Sequence, residues 1–330
     1  MTPSLVKGWL DRMVHGIHHV TAIAGDPQTN LEFYTGVLGM RLVKRSVNQD
    51  DPGTYHFFYA DAEGHPGTDL TFFPWPHAHR GRKGAGQIVE VALAVPPGSL
   101  AYWHERLLAH GVRPGPVESR FGESALPFED PDGMGVALVE SEGALQRPFT
   151  PWAAGPVPAA YQVRGVHSVR LWQRRLAPSA RLLTEVLGFE AQGQEDGWHR
   201  FAVEGGGPGC YVDIREVPGA PPGSWGPGVI HHVAWRVRDD AEQRQVRTRV
   251  EVAGCRPTPV IDRFWFKSVY FQEPGGVIYE LATDGPGFAV DEERDRLGER
   301  LVLPPWLEPH RARIESALPP VALPWGAGRS

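Results

Sequence analysis

The sequence predicts an α+β fold made of four modules, in each of which a strand is followed by a helix and several further strands. Two internal similarities predict it. Residues 16–20 (GIHHV) resemble residues 165–169 (GVHSV), and each segment precedes an amphipathic stretch that ends in Val-Leu-Gly. Residues 86–95 likewise resemble residues 228–237, and each of these apolar segments precedes a helical stretch. Such repeats are typical of one supersecondary unit copied along the chain.

The four modules are predicted to begin near residues 16, 87, 164 and 229. The first helix has the clearest limits, because Asp26 suits the N-cap, Pro27 suits the first turn and Gly39 suits the terminus. Between these limits, Leu31 and Leu38 recur at helical spacing. Turns rich in Pro and Gly precede the last strand of modules 2 and 4, which is the composition expected where a strand reverses direction.

The modules predict two domains, a linker and a tail. Residues 1–145 are expected to form an N-terminal domain from modules 1 and 2, and residues 162–285 a C-terminal domain from modules 3 and 4. Residues 146–161 are rich in Pro and Ala and lack periodicity, so they are the predicted linker. Residues 286–330 are expected to form a tail whose helices pack on the surface.

Composition excludes several classes of protein. A net charge of −6 and a pI near 6.2 argue against a general nucleic-acid binder, which would carry a basic surface. The only two cysteines, Cys210 and Cys255, exclude a disulfide scaffold and a thiolate zinc site. The sequence has neither a signal-peptide pattern nor an apolar stretch of membrane-spanning length. A cytoplasmic enzyme or binding protein for a small molecule is therefore expected, without nucleic acid or membrane as a partner.

Three polar residues lie inside apolar strands and are the candidate metal ligands. They are His19, His232 and Glu280. A carboxylate in an apolar strand is costly to bury unless it is paired, hydrogen-bonded or bound to a metal. Two imidazoles and one carboxylate form the facial triad typical of non-haem Fe(II) enzymes that activate dioxygen.

The internal repeat strengthens this interpretation, because the corresponding positions elsewhere lack the ligand pattern. Ser168 occupies the position of His19 in module 3, and Glu90 occupies that of His232 in module 2. The strand that matches Glu280 reads VALV at residues 136–139. The fold therefore does not require these side chains, and one metal site, built by modules 1 and 4, is predicted.

The sequence also resembles the vicinal-oxygen-chelate superfamily, which contains glyoxalase, bleomycin resistance and extradiol dioxygenase proteins. Within it, the chain is similar to ring-cleaving dioxygenases that open hydroquinones. The matching stretches are residues 18–48, 54–75, 228–237 and 262–288. The resemblance implies βαβββ modules paired into two tandem domains with curved, barrel-like mixed sheets. It also implies Fe(II), with Mn(II) as the alternative, bound by the three candidate ligands.

The resemblance further implies that five residues surround the substrate and the oxygen: His18, Thr21, His231, Arg263 and Tyr270. In an ideal strand, His18 and His231 point away from the ligands. They could equally be core histidines, unless a β-bulge or a contact to a ligand brings them into the site. For Arg263 and Tyr270, in an aromatic-rich segment, the alternative role is stacking.

The expected function is therefore an Fe(II)-dependent ring-cleaving dioxygenase that inserts O2 into a hydroquinone- or catechol-type aromatic. Two alternatives stay open: a glyoxalase-type metal-dependent isomerase or lyase, and a non-catalytic small-molecule-binding protein. His56 and His65, both in module 1, are expected to be structural. Related proteins often pair, so a homo-oligomer is a further expectation.

Overall fold

The computed structural model describes residues 13–323, and it confirms four βαβββ modules. Module 1 contains β1 (Ile17–Ala24), α1 (Pro27–Glu32), β2 (Arg41–Asn48), β3 (Asp51–Ala60) and β4 (Asp69–Pro74). Module 2 contains β5 (Gln87–Val95), α2 (Leu100–Ala109), β6 (Glu118–Arg120), β7 (Glu123–Glu129) and β8 (Gly135–Glu140). Module 3 contains β9 (Val166–Gln173), α3 (Leu176–Arg181), β10 (Glu190–Glu195), β11 (Trp198–Ala202) and β12 (Tyr211–Glu216). Module 4 contains β13 (Val229–Val237), α4 (Asp240–Val252), β14 (Ile261–Asp262), β15 (Lys267–Gln272) and β16 (Ile278–Thr283).

Shorter helical segments complete the described chain. α1 and α3 each continue into a π-helical turn, at Phe33–Val37 and Leu182–Val186. A 3-10 turn at Glu142–Leu145 precedes the predicted linker. The tail contains three further 3-10 turns and α5 (Arg311–Ala317). Within residues 13–323, no helix is both long and apolar enough to cross a membrane. The expectation of no signal peptide concerns residues 1–12, which lie outside the described part, as do residues 324–330 of the tail.

All sixteen strands of the described chain belong to one curved, open mixed sheet, and the predicted α+β class is confirmed. In every module the first strand pairs in parallel with the last. Between modules, β1 pairs antiparallel with β13, and β5 with β9. Modules 1 and 4 therefore share one half of the sheet, and modules 2 and 3 share the other. The division into domains at residues 1–145 and 162–285 stays a prediction.

The helices cover one face of the sheet and form the main apolar core with it. Leu31, Trp103, Leu183 and Val246, one from each module's helical segment, are buried there. The predicted limits of α1 agree with the structure. Asp26 caps the helix by accepting a hydrogen bond from the amide of Thr29 at 2.8 Å.

Gly39 ends this first helical segment because its backbone is left-handed, with φ at +67°, and because there is no room for a side chain. A Cβ atom at this position would lie 2.5 Å from a methyl group of Val157. The left-handed conformation is one that glycine adopts at little cost. The segment therefore ends where the sequence predicts.

The tail differs from the expectation of surface helices. α5 does lie at the surface, but Phe288, Glu292 and Leu297 are buried against modules 1 and 4. The cause is Lys44 on β2, which is fully buried and needs counter-charges. Its ammonium lies 2.6 Å from Asp291, also contacts Glu292, and donates to the Phe288 carbonyl. The acidic segment of the tail is thus drawn into the fold.

Candidate metal centre

The structure brings the three predicted ligands together on neighbouring strands of modules 1 and 4, a region termed here the first half-site. His19 lies on β1, His232 on β13 and Glu280 on β16, and all three are buried. Their ligand atoms lie within 4.8 Å of one another. Oε2 of Glu280 is 3.2 Å from Nε2 of His19 and 2.9 Å from Nε2 of His232.

These atoms fit a metal ion on two grounds. Two ligand atoms bound at right angles to an ion ~2.1 Å away are about 3 Å apart, close to the observed spacings. In addition, Nε2 of His232 and Oε2 of Glu280 are buried, and neither has an aligned hydrogen-bond partner within residues 13–323. Buried polar atoms are rarely left without a partner. One ion would satisfy both.

Two β-bulges decide where the neighbouring histidines point. Between the pairs Ile17–Trp235 and His19–Ala234, strand β1 has one additional residue, which is His18. Further along the same strand pair, the additional residue on β13 is His231. A bulge redirects a side chain that strict alternation would place on the opposite face. On the sequence alone, a β-bulge or a contact to a ligand is needed to bring His18 and His231 into the site, and a bulge is present at each of them.

Each bulged histidine contacts the ligand that follows it. Nδ1 of His18 lies 2.9 Å from Nδ1 of His19, and Nδ1 of His231 lies 2.8 Å from Nδ1 of His232. Such a hydrogen bond fixes the tautomer of a ligand and leaves its Nε2 free for a metal. His18 and His231 can therefore orient the two ligands.

Burial and neighbouring imidazoles set the protonation of the site. Burial, with His19 beside it, lowers the pKa of His18 to about 3. Burial, with His232 beside it, likewise lowers the pKa of His231 to about 3. For Glu280, burial alone would raise the pKa, but His19 and His232 hold it well below its usual range. Burial also lowers the pKa of His232, so at neutral pH this ligand is neutral and Glu280 is ionised, which is the form that binds metal.

A hydroxyl and a guanidinium flank the carboxylate. Tyr270 is directly opposite Glu280 in the β15–β16 pair, so both side chains share a face. Its hydroxyl is hydrogen-bonded to Ser268 and Arg263. Ser268 in turn donates to Oε1 of Glu280 at 2.5 Å. Ser268 was not identified from the sequence, although its spacing of two from Tyr270 on one strand was the available signal.

Burial raises the pKa of the Tyr270 phenol, and the nearby Glu280 carboxylate adds to this effect. Arg263 acts in the opposite direction on the same pKa. Tyr270 therefore stays protonated over the physiological range and can donate a hydrogen bond. The ring of Tyr270 lies 5.6 Å from that of His232, and Arg263 lies beside Tyr270.

Thr21 belongs to a short chain of hydrogen bonds that ends at His56. The hydroxyl oxygens of Thr21 and Thr71 are 2.7 Å apart, and Nε2 of His56 lies 3.0 Å from the Thr71 hydroxyl. His56, expected to be structural, lines the cavity in front of the ligands. His65 lies apart from this chain, with its Nδ1 2.6 Å from a carboxylate oxygen of Asp61.

A cavity of about 370 Å³ opens onto His19 and His232. Its walls are mostly aromatic and comprise Phe58, Phe73, Trp75, Trp265, Phe266 and Tyr270. The ring of Phe266 lies 5.2 Å from that of His19. His231 and Arg263 add polar groups to the lining, whereas His18 and Thr21 lie behind it. A mostly apolar cavity with a few convergent polar groups is typical of a small-molecule site.

The repeated fold also has a sequence-family signature. The profile described as the Glyoxalase/Bleomycin resistance protein/Dioxygenase superfamily matches residues 16–138 and again residues 165–281. The chain belongs to this superfamily. Its two matches correspond to two tandem glyoxalase domains, in agreement with the sequence prediction.

Relatives in this superfamily support a dioxygenase role. The chain is 41% identical over 305 residues to "Putative ring-cleaving dioxygenase MhqO" of Bacillus subtilis (strain 168), covering 92% of this chain and 96% of that protein. It is 34% identical over 307 residues to the chlorohydroquinone/hydroquinone 1,2-dioxygenase of Sphingobium indicum, covering 91% and 94%. Names of this kind support an enzyme rather than a binding protein.

Solved structures of the superfamily agree with the fold. A crystal structure of a Bacillus subtilis protein with a name of the same kind matches with a TM-score of 0.88 and 40% identity, covering 94% of this chain and 99% of that one. Glyoxalase I from Zea mays matches with a TM-score of 0.59 and 17% identity, covering 82% and 92%. The second match shows the shared fold alone.

Proposed function

We propose that this protein is a ring-cleaving dioxygenase that uses Fe(II), bound by His19, His232 and Glu280, to open a hydroquinone- or catechol-type aromatic with O2. The observation that carries the proposal is the convergence of these three residues where His19 and His232 line an aromatic cavity. Relatives whose names specify ring cleavage or hydroquinone dioxygenation support it. Mn(II) is the alternative metal for the same ligands.

The metal would supply the redox chemistry, because two histidines and one carboxylate leave open positions at which an aromatic hydroxyl and O2 can meet. The protein supplies the environment. Phe58, Phe266 and Trp265 exclude water and provide surfaces on which an aromatic ring can stack. The cavity of about 370 Å³ suits a single substituted ring.

Arg263, Tyr270 and His231 are the proposed catalytic residues that face the substrate. Arg263 and the Tyr270 hydroxyl can stabilise negative charge on a substrate oxygen, because the site excludes water and both groups donate hydrogen bonds. His231 lines the cavity as a neutral imidazole and can hold or move a proton at a substrate hydroxyl. His18 and Thr21 act from behind, His18 by orienting the His19 imidazole.

Oxygen uptake tests the proposal. Protein purified without oxygen and loaded with Fe(II) would be mixed with hydroquinone, chlorohydroquinone or catechol, and both O2 consumption and ring-opened product would be measured. We expect uptake of O2 in proportion to the ring-opened product. Absence of uptake with all three ring classes would contradict the proposal.

The glyoxalase-type alternative differs in its ligands and in its need for oxygen. We expect such an enzyme to require a second metal-binding carboxylate. In the described part of the chain, the single cluster of metal-type ligands contains only one carboxylate, Glu280. Isomerisation of a thiol adduct of an oxoaldehyde without O2 would support this alternative instead.

A further inference from the structure

Arg263 is held at the mouth of the cavity by the tip of the β2–β3 hairpin. Both terminal nitrogens of its guanidinium donate to the carboxylate of Asp50, at 3.1 Å and 2.7 Å. The neighbouring Gln49 donates from its side-chain amide to the carbonyl of Arg263 at 2.9 Å. A module 1 hairpin is thereby attached to a module 4 loop by three hydrogen bonds.

Asp50 and Arg263 differ in how much of each side chain is exposed to solvent, and this difference indicates that Asp50 acts on Arg263 from outside the site. The side chain of Asp50 is 71% exposed, whereas that of Arg263 is only 14% exposed. On its inner side, the guanidinium carbon lies 5.4 Å from the centre of the Tyr270 ring, and the two side chains are hydrogen-bonded. Asp50 therefore contacts the outer side of an arginine whose inner side faces the site.

Module 2 has an arginine at the position of Arg263, but within residues 13–323 no hairpin-tip carboxylate pairs with it as Asp50 does, and its side chain points elsewhere. By strand register, Arg120 in module 2 corresponds to Arg263, and the next residues, Phe121 and Phe264, both have a left-handed backbone. Arg120 turns inward and pairs with Glu90, which occupies the position of His232.

The hairpins explain this difference between the two arginines. In module 3 the second hairpin strand, β11, has 5 residues, against 10 in β3. The tip of the shorter hairpin contacts the amide of Phe121 through Glu195, and Arg120 takes Glu90 and Glu118 as its partners. Only the longer hairpin brings a carboxylate to the outer side of the arginine.

We propose that Asp50 is a positioning residue that holds the guanidinium of Arg263 beside Tyr270 and away from the carboxylate of Glu280. A guanidinium pairs with whichever carboxylate lies within reach, and bidentate pairs are geometrically specific. With Asp50 as its partner, Arg263 presents its remaining donors to the cavity, and Glu280 stays available to the metal. This inference rests on the proposed function.

The test uses Asp50→Asn in the full-length, Fe(II)-loaded protein, with hydroquinone as the probe. We expect kcat/KM to fall about tenfold, because a bidentate charged pair is lost. Asp50→Glu should restore most of the loss. The matched control is Asp51→Asn. Asp51 is exposed and adjacent to Asp50, and its side chain is hydrogen-bonded only to Thr54 among the described residues. This variant should behave as wild type.

A double-variant comparison separates positioning from a general structural effect. In an Arg263→Ala background, Asp50→Asn should cause no further loss of kcat/KM, and iron content and the melting temperature should match the parent. The inference is overturned if Asp50→Asn has no effect in the native background, or has the same effect with Arg263 removed. In either case, hydroquinone turnover by the wild type would leave the proposed function intact.

If the wild type consumes no O2 with any aromatic, the proposed function fails while the positioning claim can still be judged. Crystal structures of the wild type and of Asp50→Asn would then decide it. The guanidinium of Arg263 should lie beside Tyr270 in the first structure and turn toward Glu280 in the second. An unchanged Arg263 would overturn the inference.

Discussion

The two halves of the sheet share one architecture but differ in how they compensate buried charge. In the first half-site, His19, His232 and Glu280 converge. In the second half-site, formed by modules 2 and 3, register places Ser168 and Glu90 at the positions of the two histidines. Ala137 stands at the position of Glu280, as a comparison of the β5–β8 and β13–β16 pairs shows.

The second half-site fills its interior with ion pairs. Arg200 donates to Asp213 at 2.8 Å and 3.0 Å, and Arg170 approaches the same carboxylate at 3.5 Å. Arg120 binds Glu90 at 2.5 Å. These acids therefore have cationic partners from the chain itself, whereas within residues 13–323 the contacts of the Glu280 carboxylate are to two imidazoles and a hydroxyl. An internal cation replaces what a metal ion would supply in the first half-site.

The β-bulges are common to both halves, so they are features of the fold. In the β5–β9 pair, Val89 and His167 are the additional residues, at the positions of His231 and His18. The bulge that turns His231 toward the ligands is thus also present in the second half-site, where the corresponding residue is Val89. What distinguishes the first half-site is its side chains rather than its backbone.

Removing a ligand is the strongest way to separate the two half-sites. His19→Ala or Glu280→Ala should abolish metal binding, an effect larger than the ~100-fold typical of removing a group behind a ligand. Ser168→Ala and Glu90→Ala, at the corresponding positions, should retain full metal content. Iron would be measured after anaerobic loading and dialysis. Equal losses from both sets of variants would mean that the half-sites are not distinct.

Lys44 tests the support that the tail gives to the first half-site. Lys44→Met should lower the free energy of unfolding by about 3–5 kcal/mol, because the buried carboxylate of Glu292 loses its partner. The control is Lys83→Met, beside the second half-site. Its pair with Glu129 is largely exposed, so its effect should stay within about 1 kcal/mol. Urea denaturation measures both, and similar values for the two variants would contradict a stabilising role of the buried Lys44–Glu292 pair.

Asp213 tests whether the second half-site is only structural. Asp213→Asn should destabilise the protein by about 2–3 kcal/mol, since Arg170 and Arg200 lose their shared, fully buried acceptor. Iron content and hydroquinone turnover should not change. A loss of iron in a protein that is still folded at the assay temperature would show that the two half-sites are coupled.

The pH dependence of stability offers the smallest of these effects. A histidine whose folded pKa is lowered to about 3 stays neutral in the native state, while the unfolded chain takes up a proton below pH 6.5. Stability of the metal-free protein should therefore fall as the pH falls from 6.5 toward 3, and about 1–2 kcal/mol from His231 should be lost by pH 5. His231→Val, which copies Val89, should flatten this slope. An unchanged slope would contradict the buried neutral state.

Much of this organisation could be predicted from the sequence. The repeat located all four modules, since their first strands begin at Ile17, Gln87, Val166 and Val229, close to the predicted starts. The fold class followed from it. His19, His232 and Glu280 could be selected because polar residues in apolar strands need a partner, and because the corresponding positions lack them. The structure brings these three side chains together.

Other features could not be predicted, because they depend on contacts between distant segments. Strict alternation misplaces His18 and His231, since no residue pattern marks the two bulges. His56 lines the cavity, where it contacts the hydroxyl of Thr71 on β4. Lys44 meets the tail across 248 residues of sequence, and the surface position expected for the whole tail was wrong for this reason. Such pairs are decided by the tertiary fold.

Anomalous scattering at the iron edge tests the central claim most directly. Crystals of the full-length protein, loaded anaerobically with Fe(II), should show one strong peak per chain, within bonding distance of Nε2 of His19 and His232 and of Glu280. No peak should lie beside Ser168 and Glu90. A peak of similar height in the second half-site, or none at the first, would contradict a single iron centre built by modules 1 and 4.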